Sequence, residues 1–362
     1  MSRSTRAVVD ISALRHNYQR LRTLAQGRRV MALMKADAYG HGALGIASAL
    51  PDADAFGVAY LGEAVQLREA GVRAPIVLLE GAMAIDELAY AAALDLAVVI
   101  HQHEQLQWLK NSSLSRPLTI WLKVDTGMHR LGIAPSEAAS VLAELECLQR
   151  APDPKVREVV VMSHLACADL PDHPMTAQQL KAFQEVTRGV GGQRSIANSA
   201  GLLLGDDFGF DWVRPGIMLY GGSPRNDRSA EQLGLRAVMK LVAPIIAIRT
   251  VAAGESVGYG ASWVAERDTR VGIVAVGYGD GYPRHVRAGA CVLLHGCECL
   301  LLGRVSMDML AIDLSAVNAQ LGDEVELWGP SLPVERVANW AGTINYELFC
   351  QITGRVRREY LP

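Results

Sequence analysis

Several protein classes are excluded by what this sequence does not contain. Lys and Arg (35) nearly balance Asp and Glu (38), leaving a net charge of −3, and no basic block stands out. Neither nucleic acid nor an anionic membrane is therefore an expected partner. No apolar run reaches the roughly 20 residues that cross a bilayer. The opening Met1-Ser2-Arg3-Ser4-Thr5-Arg6 leads only to Ala7-Val8-Val9 before Asp10, which does not read as a secretory signal. A cytoplasmic protein acting on small molecules is expected. The cysteines Cys147, Cys167, Cys291, Cys297, Cys299 and Cys350 are scattered, so free thiols are expected rather than a disulfide framework. Cys297-Glu298-Cys299 lacks zinc-knuckle spacing, and no metal is expected.

What is present is largely apolar. Half of the 362 residues are hydrophobic, enough for two cores. Arg6-Ala7-Val8-Val9 reads as a short strand, and Asp10 or Ser12 can cap a helix carrying Leu14, Tyr18, Leu21 and Leu24 at three- and four-residue steps. Eight segments then read as buried strands: 30–35, 55–60, 75–79, 96–100, 119–124, 159–163, 195–198 and 212–214. Helical stretches lie between most of them, at 62–70, 84–94, 104–110, 136–148 and 175–186. This alternation points to an α/β fold, an N-terminal (β/α)8 TIM-like barrel over residues 1–234. An open doubly wound sheet ranks second, because no Gly-x-Gly-x-x-Gly follows the first of these strands. From about Leu235, strand-like runs separated by Gly, Asp and Pro turns indicate a C-terminal, mostly-β domain over 235–362, closing with helices near 334–341 and 346–352.

Polar residues stand at the ends of the predicted barrel strands. Lys35 and Tyr39 follow the first, the run Lys123 to Gly132 the fifth, Ser163-His164 the sixth, Asn198-Ser199 the seventh, and Arg214-Pro215-Gly216-Ile217 the eighth. Taken singly, each is an ordinary turn or surface residue, and Lys35 alone reads more readily as a solvated loop amine. Five such ends at the rim where barrel active sites lie define a candidate site. These residues suit an aldehyde cofactor that carries phosphate. Lys35 supplies an amine for a Schiff base; Ser199, the N–H groups near Gly216 and Ile217, and the Tyr39 hydroxyl supply a phosphate cradle. Pyridoxal 5'-phosphate meets these demands.

The motifs Met34-Lys35-Ala36-Asp37-Ala38-Tyr39-Gly40-His41-Gly42, Leu122 to Gly132, Val213 to Gly221, Val257-Gly258-Tyr259-Gly260, Gly277 to Arg284 and Gly303 to Met309 resemble those of the alanine racemases. They span nearly the whole chain, and Asp37 departs from the asparagine more usual in that family. The resemblance implies a pyridoxal-phosphate enzyme interconverting L- and D-alanine by two-base proton transfer. It also implies a head-to-tail homodimer whose β domain completes the partner's site, with the opening strand near Val8 joining that domain. Lys35 is then the cofactor lysine and the base on one face, and Tyr259 of the partner subunit the base on the other. Arg214 falls at the pyridine nitrogen, with His164 beside it helping Tyr259 to lose its proton. Tyr39, Ser199, Gly216, Ile217 and Tyr346 fall at the phosphate. Arg130 and the backbone N–H of Met307 fall at the substrate carboxylate, Tyr278 narrows the entrance, and Lys123 matches a position that some members carbamylate.

A guanidinium at the pyridine nitrogen leaves the ring unprotonated, a weaker electron sink that favours racemisation over side reactions. Two other readings compete. A cofactor-homeostasis barrel is opposed by Tyr259 and Met307, and a decarboxylase of the same fold by Arg214. Whether D-alanine is made for peptidoglycan precursors or degraded is left open.

Overall fold

Asp10 ends the first strand and begins the first helix. Its Oδ1 accepts the Ala13 N–H at 2.9 Å, so β1 (Arg6–Asp10) runs directly into α1 (Ile11–Ala25). Leu14, Tyr18 and Leu21 lie on the buried face of α1, as their spacing requires. The computed structural model describes residues 4–362; Met1–Arg3, part of the opening segment weighed above, lie outside the described residues.

Eight parallel strands close into a barrel in sequence order: β2 (Arg29–Leu33), β3 (Ala55–Val58), β4 (Ile76–Leu78), β5 (Ala97–Ile100), β6 (Leu118–Lys123), β7 (Val156–Met162), β8 (Gln193–Asn198) and β9 (Trp212–Arg214). β9 returns to β2, with Arg29 opposite Trp212 and Val30 opposite Val213. β3, β4 and β5 are buried along their whole length, which is why they read as unbroken apolar runs. α3 (Ala43–Ala49), α4 (Leu61–Glu69), α5 (Ile85–Ala93), α6 (His103–Asn111), α7 (Ala138–Arg150) and α8 (Pro174–Val186) occupy the connections.

The first barrel strand is shorter than its sequence suggests. β2 stops at Leu33, and Lys35 opens a single turn, α2 (Lys35–Tyr39), that winds left-handed: Ala36, Asp37, Ala38 and Tyr39 have φ of 53°, 53°, 54° and 52°. Each such residue costs on the order of 1–2 kcal/mol relative to the right-handed form. Asp37 offsets part of this cost. Aspartate tolerates the conformation better than most residues, and its Oδ1 accepts the Ala43 N–H at 2.7 Å at the start of α3.

The remaining strands are β10 (Met239–Val251), β11 (Ser256–Val257), β12 (Trp263–Val264), β13 (Thr269–Val274), β14 (Cys291–Leu294), β15 (Cys297–Leu302), β16 (Leu310–Asp313), β17 (Glu324–Trp328) and β18 (Arg357–Leu361). All but the β11–β12 hairpin join β1 in one sheet, ordered β13-β16-β15-β14-β17-β10-β1-β18. β1 runs parallel to β18 and antiparallel to β10, so both ends of the described chain lie in this sheet. β18 has no apolar alternation, being Arg-Arg-Glu-Tyr-Leu, and for that reason its sequence does not announce a strand. α9 (Val334–Ala341) and α10 (Asn345–Cys350) complete the fold. α10 packs beneath the end of β2, where Phe349 meets the His41 ring edge-on at 4.8 Å. All six cysteines are free thiols, and among the described residues no helix is long and apolar enough to cross a membrane.

Candidate active site

The carboxyl ends of β2, β8 and β9 meet around Gly216. The Leu33 N–H donates to Pro215 O at 3.2 Å, and the Gly216 N–H donates to Ser199 Oγ at 2.9 Å. Gly216 has to be glycine, because a Cβ there would lie 2.3 Å from the Tyr39 hydroxyl. Ile217 begins the short helical turn Ile217–Tyr220 that follows. Tyr220, whose hydroxyl donates to Leu33 O at 2.7 Å, stacks on Tyr39 with ring centroids 5.0 Å apart. Tyr346 of α10 stands on the other side, 6.1 Å from the Tyr39 ring. Burial raises both the Tyr39 and Tyr346 phenols well above their usual range, so they remain protonated and available to donate hydrogen bonds.

Arg214 ends β9 and is almost fully buried. Its guanidinium donates to Ser195 Oγ, to Ser163 O at 2.5 Å, and to Ile196 O and His164 Nδ1 at 3.4 Å each. These acceptors are all neutral, and the Nε–H meets none among the described residues. Burial lowers the guanidinium only to about 10, which leaves it charged at neutral pH. Burial, followed by Arg214, Arg130, Lys123 and Lys35, holds His164 well below its ordinary value. The imidazole is therefore neutral, and because its Nδ1 accepts from Arg214, its proton sits on Nε2.

Lys123 ends β6, buried and without a carboxylate within ion-pair distance among the described residues. Burial, then the charges of Arg130, Arg214 and Lys35, lower its ammonium to about 8; Glu80 opposes the shift weakly. Arg130 is exposed on the loop after β6. That loop is held by Asp125, whose Oδ1 accepts the N–H groups of Gly127 at 2.9 Å and His129 at 3.0 Å.

One chain thus gathers Lys35, Tyr39, His164, Ser199, Arg214, Gly216, Ile217 and Tyr346 at one rim, with Arg130 close enough to act on His164. It does not bring Tyr259, Tyr278 or Met307 there. Tyr259 is 68% exposed on the β domain, Met307 52% and Tyr278 39%. The Tyr278 and Gly279 N–H groups donate to Ser306 O at 3.1 Å and Met307 O at 2.8 Å, so two of the three residues sit on adjoining loops.

Sequence reasoning missed two supporting residues. Gln179 of α8 is fully buried, donates to His164 O at 2.8 Å and accepts the Ala166 N–H at 2.9 Å. Glu63 accepts the Ala36 N–H and the Ala59 N–H, each at 2.7 Å. The available signal for Gln179 was a polar residue on the inner face of an amphipathic helix.

The donor set fits pyridoxal phosphate. Lys35 offers the amine, the Ser199 and Tyr39 hydroxyls flank a glycine with no room for a side chain, and Arg214 keeps an unused N–H. A closed parallel barrel carrying this set at its carboxyl rim defines the class of pyridoxal-phosphate-dependent barrel enzymes. Residues 9–224 match the family described as alanine racemase, N-terminal domain, and residues 238–360 the alanine racemase C-terminal domain. The chain belongs to the alanine racemase family. It is 49% identical over 352 residues to an alanine racemase of Shewanella woodyi, covering 97% of each chain. The biosynthetic alanine racemase of Pseudomonas aeruginosa superposes with a TM-score of 0.94 at 49% identity, over 99% of this chain and 100% of that one. An alanine racemase of Bartonella henselae, solved with covalently bound pyridoxal phosphate, superposes with a TM-score of 0.86 at 31% identity over 99% of each chain.

Proposed function

We propose that the chain racemises alanine as a head-to-tail homodimer, in which Lys35 of one subunit and Tyr259 of the partner subunit exchange protons on opposite faces of the substrate α-carbon. The observation that carries this reading is the incompleteness of the rim. One chain assembles a cofactor cradle around Lys35, while Tyr259, Tyr278 and Met307 stand exposed on its β domain. A division at residues 234/235 separates the barrel from a β domain that then serves the partner's site.

Pyridoxal phosphate, once bound, supplies the electron sink that makes the α-proton removable. Lys35 Nζ holds that proton on one face and the partner's Tyr259 holds it on the other; removal from one face and return on the other inverts the configuration. Arg214, charged at neutral pH, would offer its Nε–H to the ring nitrogen of the bound cofactor without giving up a proton. His164 accepts from Arg214 and presents Nε2–H to the hydroxyl of the partner's Tyr259, favouring loss of the phenolic proton. Tyr39, Ser199, Tyr346 and the Ile217 N–H would hold the phosphate, joined by the Gly216 N–H if it turns from Ser199 Oγ to the anion. Arg130 and the N–H of the partner's Met307 orient the substrate carboxylate, and the partner's Tyr278 narrows the entrance to favour a methyl side chain.

Against a cofactor-homeostasis barrel stands the matched C-terminal domain; against a decarboxylase stands Arg214. The description of the Pseudomonas aeruginosa relative as biosynthetic favours cytoplasmic supply of D-alanine for peptidoglycan precursors over degradation. The decisive experiment is a racemisation assay on alanine with added cofactor. Lys35→Ala should lose both the visible absorbance of the lysine-bound cofactor and all measurable racemisation, and a variant that still racemises would overturn the role of Lys35.

A further inference from the structure

The turn that carries Lys35 is held by residues that take no part in proton transfer. Ala36 to Tyr39 are four successive non-glycine residues in the left-handed region, a conformation that persists only where the surroundings over-determine it. On one side lies a cavity of about 460 Å³, lined in part by Met34, Ala36, Asp37, Gly40, Glu63 and Arg358. Side-chain packing therefore supports the turn poorly there, and hydrogen bonds must hold it.

Beyond the bond from the Ala43 N–H to Asp37, they come from two places. Glu63 fastens the Ala36 N–H, at the peptide that follows Lys35, to the end of β3. At the far end, Gly40 closes the turn through its N–H to Ala36 O at 2.9 Å, and Arg358 of β18 donates from Nε to Gly40 O at 3.0 Å. The other arms of Arg358 bind Thr353 O at 2.8 Å, Val356 O at 2.7 Å and Ile352 O at 2.9 Å. Three of its four hydrogen bonds thus anchor the guanidinium to its own segment and the fourth reaches the lysine turn; no carboxylate pairs with it among the described residues. Tyr360, two residues on, donates to His41 O at 3.1 Å. β18 is itself fixed by β1, with Arg358 opposite Ala7 and Tyr360 opposite Val9.

We infer that Arg358, assisted by Tyr360, is a positioning residue for Lys35: the last strand of the chain enforces the left-handed turn and so fixes the direction in which the lysine enters the barrel mouth. This rests on the reading of Lys35 as cofactor lysine and base. The two can fail separately, because a wild-type holoenzyme without lysine-bound cofactor absorbance would refute the reading of Lys35 before any variant of Arg358 is made.

The test compares holoenzymes at saturating pyridoxal phosphate. Arg358→Met keeps the aliphatic stem and removes the donors. It should lower kcat by about tenfold or more while KM for alanine changes by less than about threefold, as misplacement of a reacting group predicts. It should also lower the fraction of cofactor absorbing as the lysine-bound form. Adding Ala36→Gly should recover at least about threefold of the lost kcat, measured against Ala36→Gly alone, because glycine adopts the left-handed conformation without a Cβ penalty. A general loss of stability would show no such recovery. An unchanged kcat in Arg358→Met, or a loss that Ala36→Gly does not relieve, overturns the inference. Should Arg358→Met not fold, Tyr360→Phe removes a single hydroxyl and carries the same expectation in smaller degree, with the same glycine rescue deciding it.

Discussion

Lys123 is a buried ammonium surrounded by other cations. Its folded value of about 8 lies below the ordinary 10.5, so between those values the unfolded chain binds more protons, and stability should rise with pH across that window. Below about 8 the full penalty of the buried charge is present. Carbamylation removes the penalty by another route: the neutral amine adds carbon dioxide and releases a proton, and the resulting anion faces Arg130 and Arg214. We predict that bicarbonate near pH 8 raises the thermal midpoint of the wild-type protein and leaves Lys123→Met unaffected. Equal shifts in the two proteins would rule the modification out. The lowered value has no counterpart in the sequence, where Lys123 is one lysine in a strand. It arises first from burial in the folded barrel and then from the charges of Arg130, Arg214 and Lys35, the last two far away in the chain.

At the level of elements, the rim depends on short loops whose backbones are tightly specified. The loop after β6 returns through Gly132, with φ of +142° and space so limited that a Cβ would lie 2.5 Å from Asp125 N. Gly132→Ala should therefore cost about 1–3 kcal/mol of stability, and should raise KM for alanine through displacement of Arg130 on the same loop. Denaturant unfolding and initial-rate kinetics check both, and a neutral alanine variant would show that the loop tolerates rearrangement. The left-handed turn at Lys35 is a stricter case. Its residues, Ala-Asp-Ala-Tyr, include good helix formers, and local preference would wind them right-handed. The conformation becomes intelligible only with Glu63, Arg358 and Tyr360 in place.

Over the whole molecule, the proposed function divides the chemistry between two copies of the chain, the barrel of one serving with the β sheet of the other. Mixing inactive Lys35→Ala and Tyr259→Ala subunits should restore part of the activity, because a hybrid dimer contains one site with both groups intact. No restoration after dissociation and reassociation would mean that each site is complete within one chain. The barrel was legible from eight apolar runs of strand length, five of them ending in polar residues, since burial on both faces and the end of a strand leave local marks on composition. Lys35, Ser199, Arg214 and Gly216 could be placed on that rim for the same reason. β18 could not be read, because its Arg-Arg-Glu stretch carries no alternation. The bond from Arg358 to Gly40 could not be read either, because its partners lie 318 residues apart. Periodicity along the chain was sufficient for the architecture and for the amine at the barrel mouth. The handedness of the turn beneath that amine, the depressed charge on Lys123 and the exposure of Tyr259 on the β domain follow from how remote segments come together, which only the folded chain brings about.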